Sequence, residues 1–138
     1  VSGGGFIIAG SSKSYGNGNW DDMWLVKTST GGSMEWQKTF GGSYDETGHY
    51  VHEKTEGGFM IVGSTESFGQ GLFDIWVIST DYTGNEIYSQ TFGGSMDDKA
   101  LKGAKLENGA LLIVGYTESF GNGGDDVIFI SIDPDYQP

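Results

Sequence analysis

The chain repeats itself, and that periodicity limits its fold more than any other feature. Thr39-Phe40-Gly41-Gly42-Ser43 returns 52 residues later as Thr91-Phe92-Gly93-Gly94-Ser95. Trp24 returns as Trp76 and Gly63 as Gly115 at the same interval of 52, whereas Gly10 and Gly63 are 53 apart. The first copy therefore holds one extra residue, between Gly18 and Asp22. A one-residue slip within a Gly/Asn stretch marks a tolerant surface loop. A period of this length calls for one supersecondary unit used repeatedly.

Short apolar runs and period-two alternation give strands throughout, and no segment sustains a helical period. The predicted strands are about Gly5–Ser12, Asp22–Thr28, Met34–Phe40, Gly48–Lys54, Gly58–Ser64, Asp74–Thr80, Glu86–Phe92, Lys99–Leu106, Ala110–Tyr116 and Val127–Ile132. Phe6-Ile7-Ile8-Ala9 is a continuous apolar run of the kind suited to burial on both faces. The 25 glycines fall at fixed places in the repeat and read as turn positions. Four short antiparallel strands per unit match a β-propeller blade, whose repeats run from about 40 to about 50 residues. The expected fold is all-β: a propeller segment of about two and a half four-stranded blades. Residues 1–46 form a partial blade, 47–94 a complete one and 95–138 another partial one.

Thr39–Glu46 and Thr91–Asp98 resemble the GGSxDD element of the bacterial and archaeal SBBP-type β-propeller repeats. Gly57–Glu66 and Gly109–Gly121 are similar to that family's GGxIVxGxTxSxG element, and the strand after each resembles its Asp-x-Trp-Val strand. The resemblance covers almost the whole chain. It implies exported, often cell-surface, prokaryotic repeat proteins, and it carries over no catalytic residue. It also implies that the segment after GGSxDD is the innermost strand of each blade. The first partial blade then wants an inner strand and the last an outer one, so the expected partners are further blades of a longer chain or copies of this one. The chain departs from the pattern at Lys99–Leu106, where three lysines stand opposite Gly48-His49-Tyr50-Val51-His52.

Charge excludes several classes of function. Nineteen acidic residues face seven lysines and no arginine, a formal net charge of −12. Nucleic-acid binding needs a basic footprint that this chain lacks, and adhesion to an anionic membrane is disfavoured on the same ground. No run reaches the roughly 18 apolar residues that span a bilayer, so membrane insertion is not expected. Without cysteine there is no disulfide framework and no thiolate chemistry. No signal peptide is visible, but the chain begins inside a repeat.

The candidate sites lie in loops. Asn17, Asn19, Asp21 and Asp22, then Asp74, then Asn122, Asp125 and Asp126 place oxygen ligands at loop ends, and calcium takes six to eight such oxygens. Their spacing fits no closed calcium motif, and the alternative is that Asn and Gly make the turns while Asp bonds neighbouring amides. No cofactor is required; calcium is the one candidate. Asp45-Glu46 and Asp97-Asp98 are adjacent carboxylates, but pairs repeated at the same place in the unit read as turn structure rather than acid–base machinery. His49 and His52, the only histidines, stand at i and i+3 on a strand and so point to opposite faces. Trp20, in the loop with the extra residue, and Phe73, its counterpart by position, are candidates for stacking on a sugar. The expected function is a non-enzymatic extracellular module with a structural, adhesive or protein-binding role. The alternative is a calcium- or carbohydrate-binding module that uses the Gly/Asn/Asp loops.

Overall fold

Alternation decides where each strand turns its side chains, and the turn residues decide where it stops. The computed structural model describes residues 1–133, and among them there are ten strands and no helix. They are β1 (Ile7–Ser12), β2 (Asp22–Thr28), β3 (Met34–Phe40), β4 (Glu46–Glu53), β5 (Phe59–Thr65), β6 (Asp74–Thr80), β7 (Glu86–Phe92), β8 (Asp98–Lys105), β9 (Leu111–Thr117) and β10 (Asp126–Ile132). Residues 134–138, within the last predicted partial blade, lie outside the described residues.

Every pairing is antiparallel and joins neighbours in sequence, which gives three meanders. The first sheet is β1-β2-β3, the middle sheet β4-β5-β6-β7 and the third β8-β9-β10. Tight turns between strands are closed by backbone bonds such as Gly57 N to Lys54 O (3.2 Å) and Gly84 N to Asp81 O (3.1 Å). Gly58 leaves the first of these turns at φ 75°, and a Cβ there would run into the Thr80 carbonyl, so glycine is required twice over.

The three sheets lie face to face. Ile7, Ala9, Met23 and Leu25 of the first sheet meet Val51, Ile61, Trp76 and Ile78 of the middle one. The opposite face of the middle sheet, with Met60, Val62, Ile75 and Val77, meets Ala100, Leu111, Ile113 and Ile132 of the third. The middle sheet is thus covered on both sides, and every residue of β5 and β6 is buried. The spacing between sheets is uneven. β4 touches both β1 and β8. Between Thr39 and Phe40 of β3 and Ser89, Gln90 and Thr91 of β7, by contrast, a groove of about 450 Å³ opens. The outer strand of the first sheet still reaches the middle sheet beyond this groove, where Lys38 Nζ donates to Asn85 Oδ1 at 2.9 Å.

All ten predicted strands are present, with two informative differences. β4 and β8 begin earlier than expected, at Glu46 and Asp98, because these carboxylates are fully buried and belong to the strands. The run Phe6–Ala9 is not covered on both faces: Ile7 and Ala9 pack inward, while Phe6 and Ile8 are exposed.

Candidate functional site

The densest polar chemistry sits where one sheet passes to the next, and it occurs twice. At the first junction Glu46 Oε1 accepts the Thr65 hydroxyl (2.9 Å) and the Ser67 amide (3.1 Å), while Oε2 accepts the Gly42 amide (2.9 Å). At the second, Asp98 accepts the hydroxyls of Thr117 and Ser119 (the latter at 2.5 Å) and the Gly94 amide at 2.8 Å. The neighbouring acid bridges backward to the previous sheet: Asp45 Oδ1 accepts Asp21 N (2.8 Å) and Asp97 Oδ1 accepts Phe73 N (3.2 Å). Backbone bonds complete each clasp, from Glu46 N to Asp21 O (2.6 Å) and from Asp98 N to Phe73 O (2.7 Å). Both carboxylates of each adjacent pair are thereby engaged in joining strands and sheets.

These bonds correct one equivalence read from the sequence. The backbone of Phe73 occupies the place of Asp21, one residue beyond Trp20, because the extra residue of the first loop is inserted before that point. Trp20 is half-exposed and leans on Tyr44 at 6.2 Å between ring centroids, with Asn17, Asn19 and Ser43 around a pocket of about 290 Å³. Phe73 instead lies beneath the Lys99 ammonium, 3.9 Å from the ring centroid, and Lys99 also reaches Asp97 at 3.4 Å. The two aromatic candidates therefore have different surroundings.

Each acidic loop closes on itself. Asp22 Oδ2 accepts Asn17 N (2.7 Å), Asp74 Oδ2 accepts Gln70 N (2.6 Å) and Asp126 Oδ2 accepts Asn122 N (3.0 Å). Asp22 and Asp74 are buried, whereas Asn19 and Asp125 are exposed. Asp21 contributes its backbone to the clasp. Among the described residues no group of three or more His, Asp or Glu side chains is arranged to hold a metal ion. Asp74 Oδ1 is buried and, among the described residues, accepts no hydrogen bond. Burial raises the Asp74 pKa above the usual carboxylate value; the Gln70 amide opposes that shift and the charge of Asp98 adds to it.

His49 is the residue skipped by the register of β4, a β-bulge between Gly48 and Tyr50. The bulge shifts the strand's alternation, so Tyr50 and His52 both face the third sheet, 5.6 Å apart. Burial, reinforced by the charge of Lys105, pulls the His52 pKa down to about 4. The lysines of β8 have different duties: Lys105 Nζ reaches Glu53 O at 3.0 Å, and its amide donates to Tyr50 Oη at 3.0 Å.

One set of residues escaped the sequence reading. Tyr15 stacks on Trp24 (5.3 Å, 14°) and Phe68 leans on Trp76 (5.0 Å, 42°), so a loop aromatic caps the strand aromatic in both copies. The signal was present, since Ser14-Tyr15-Gly16, Ser67-Phe68-Gly69 and Ser119-Phe120-Gly121 recur in step with Trp24, Trp76 and Ile128. No family model matches this chain, and no curated protein matches it significantly.

Proposed function

We propose that the chain is a non-enzymatic β-propeller segment, a rigid extracellular or cell-surface module whose role is structural, adhesive or protein-binding. The observation that carries this reading is the repeated clasp that ties the start of β4 and the start of β8 to the preceding sheet. Successive antiparallel meanders stacked face to face, with β4 packed against both β1 and β8, are what radial blades require. The acids that could have served catalysis, Glu46 and Asp98, are buried and occupied by strand and loop donors. The loops, by contrast, lie at the surface on a rigid support, the usual arrangement for binding.

Two label pairs test the architecture, and the absence of cysteine makes the labelling clean. His49 and Leu101 are exposed bulge positions on β4 and β8; Met34 and Glu86 are exposed equivalents on β3 and β7. After replacement by cysteine, spin-label distances should be clearly longer for Met34/Glu86 than for His49/Leu101. Equal separations would mean a parallel stack and would exclude the propeller. The adhesive role predicts that the immobilised chain retains intact prokaryotic cells better than a bare surface does, and equal retention would remove it.

A specific observation favours a second reading, saccharide binding. Half-exposed Trp20 borders a polar pocket with Asn17 and Asn19, an aromatic face beside amide donors and acceptors. Screening on a glycan array with Trp20→Ala as control tests it; the reading fails if no glycan binds or if the substitution changes nothing.

A further inference from the structure

We propose that the Trp20 pocket and the groove between β3 and β7 are two ends of one cleft, which takes a linear, uncharged oligosaccharide with one sugar ring on Trp20 and another on Phe68. The proposal rests on the saccharide reading of the Trp20 pocket and extends it in reach and in substrate class.

The two hollows share a border. Asn17 lines both, and the neighbours Gly41 and Gly42 line one each. Three segments meet there: the β1–β2 loop with Asn17 and Trp20, the β3–β4 link with Gly42 and Tyr44, and the β5–β6 loop with Ser67 and Phe68. Ser67 Oγ ties two of them by accepting the Tyr44 amide at 2.9 Å, and Trp20 of the third leans on the Tyr44 ring. A Cβ on Gly42 would stand 3.1 Å from the tip of the Phe68 ring, so this ring lies at the border itself. From there the groove runs between the sheets, with Trp76 beneath Phe68 as its floor. Phe40 forms one wall. Ser89 and Thr91, which share the face of Ile78 and Trp76 by register, form the other. The Lys38–Asn85 bond bars the far end, so a ligand enters from the loops and lies across both hollows.

The lining selects the ligand. Trp20 and Phe68 are 47% and 43% exposed, one aromatic face for each hollow. A sugar ring carries C–H groups on its faces and hydroxyls around its rim. An aromatic plane buries the face, while amide and hydroxyl side chains, which both donate and accept, meet the rim. Asn17, Asn19, Ser43, Ser89 and Thr91 supply those groups. Among the described residues no lysine lines either hollow, and a net charge of −12 repels anions. The Asp22 carboxylate is held by the Asn17 amide, so recognition falls to neutral groups. The two hollows, about 290 and 450 Å³, together have the size of a small-molecule site, about 300–1,000 Å³.

The exposure of Trp20 belongs to its loop. Leu72, its counterpart one residue before Phe73, is 50% exposed although the middle sheet is covered on both faces. The second junction repeats the clasp without the platform: Leu72 stands for Trp20, and Gln70, bonded to Asp74 as Asn17 is to Asp22, stands for Asn17. One site per chain is therefore expected among the described residues.

An array carrying neutral glycans at increasing length, followed by calorimetry on those retained, tests the proposal. Affinity should rise once the oligosaccharide is long enough to place a second ring, because that ring binds intramolecularly, and then level off at one ligand per chain. Trp20→Ala and Phe68→Leu should each weaken the long ligand by about tenfold, the loss of one aromatic contact. Phe68→Leu keeps an apolar cap on Trp76, as thermal melts would verify, and Phe68→Tyr, which restores the ring, should bind like wild type. Binding that needs Trp20 but ignores both ligand length and Phe68→Leu overturns the joined cleft and leaves the Trp20 reading standing. Absence of binding to every neutral glycan overturns both. An acidic oligosaccharide bound as tightly, or an uncharged peptide bound in a Phe68-dependent manner, overturns the substrate class.

Discussion

The carboxylate of Glu46 takes the hydroxyl of Thr65 at 2.9 Å in a place that water does not reach. The same carboxylate holds the Gly42 and Ser67 amides, so one side chain satisfies three donors from two loops and a strand. Removing it leaves those donors stranded, at about 1–3 kcal/mol for each that stays buried. Glu46→Ala is therefore expected to cost about 3–5 kcal/mol, the range for breaking a buried charged network. Thr65→Val leaves Glu46 its two amide bonds but removes the hydroxyl and, with it, the oxygen that accepts the Ser67 and Phe68 amides (3.1 and 3.2 Å), and should cost about 1–3 kcal/mol. Urea midpoints at unchanged m-value measure both, and equal small losses would mean that the clasp contributes little.

Gly93 keeps two carboxylates close together. A Cβ at this position would overlap Asp74 Oδ1 and stand 2.8 Å from Asp98 Oδ2. At Gly41 it would overlap Asp22 Oδ1 and stand 2.6 Å from Glu46 Oε2. Neither glycine has positive φ, so the demand is for space rather than for an unusual backbone. Gly93→Ala and Gly41→Ala should each destabilise by more than about 2 kcal/mol, as overpacking against fixed groups does. Gly18→Ala, in open space, is the control and should change stability by less than about 0.5 kcal/mol. Similar melting temperatures for all three would remove the steric account.

His52 gives stability a pH dependence whose sign follows from its surroundings. Burial, helped by the charges of Lys105 and Lys54 and opposed by Glu56, lowers its folded pKa from 6.5 to about 4. In this window the unfolded chain binds a proton that the folded chain refuses. The contribution of neutral His52 is thus intact above pH 6.5 and is lost progressively as pH falls toward 4. Asp74 works in the opposite sense: its raised pKa favours the folded state at low pH, and that advantage is lost as pH rises through the folded value. His52→Gln should flatten the decline in urea midpoint between pH 6.5 and 4.5, whereas an unchanged slope would assign the decline to other groups.

The strands were legible because alternation and turn glycines act locally, and β5 and β6 read as continuous apolar runs because both their faces are covered. What escaped depended on contacts across sheets. Glu46 looks like a turn residue in sequence, yet the hydroxyl that buries it, Thr65, lies nineteen positions on. Strict alternation sets His49 and His52 on opposite faces, but His49 sits in a one-residue bulge, where alternation no longer assigns a face. Trp20 and Phe73 match by counting across a loop whose extra residue the sequence places only between Gly18 and Asp22. The bonds that Asp45 and Asp97 accept, with the backbone bonds beside them, show where the insertion ends.

Trp20 and Trp76 separate binding from packing. Trp76 is buried between the first and middle sheets and capped by Phe68 at 5.0 Å, so Trp76→Ala opens a large cavity. A loss of about 3–5 kcal/mol is expected. Trp20, half-exposed and touching Tyr44 across 6.2 Å, supports little, and Trp20→Ala should stay within about 0.5 kcal/mol of wild type. The substitution is therefore a clean probe of the loop pocket, since any lost glycan binding cannot be attributed to unfolding. Thermal melts of both variants check the premise. A Trp20→Ala chain that melts several degrees early would make Trp20 part of the packing and withdraw it as a ligand contact.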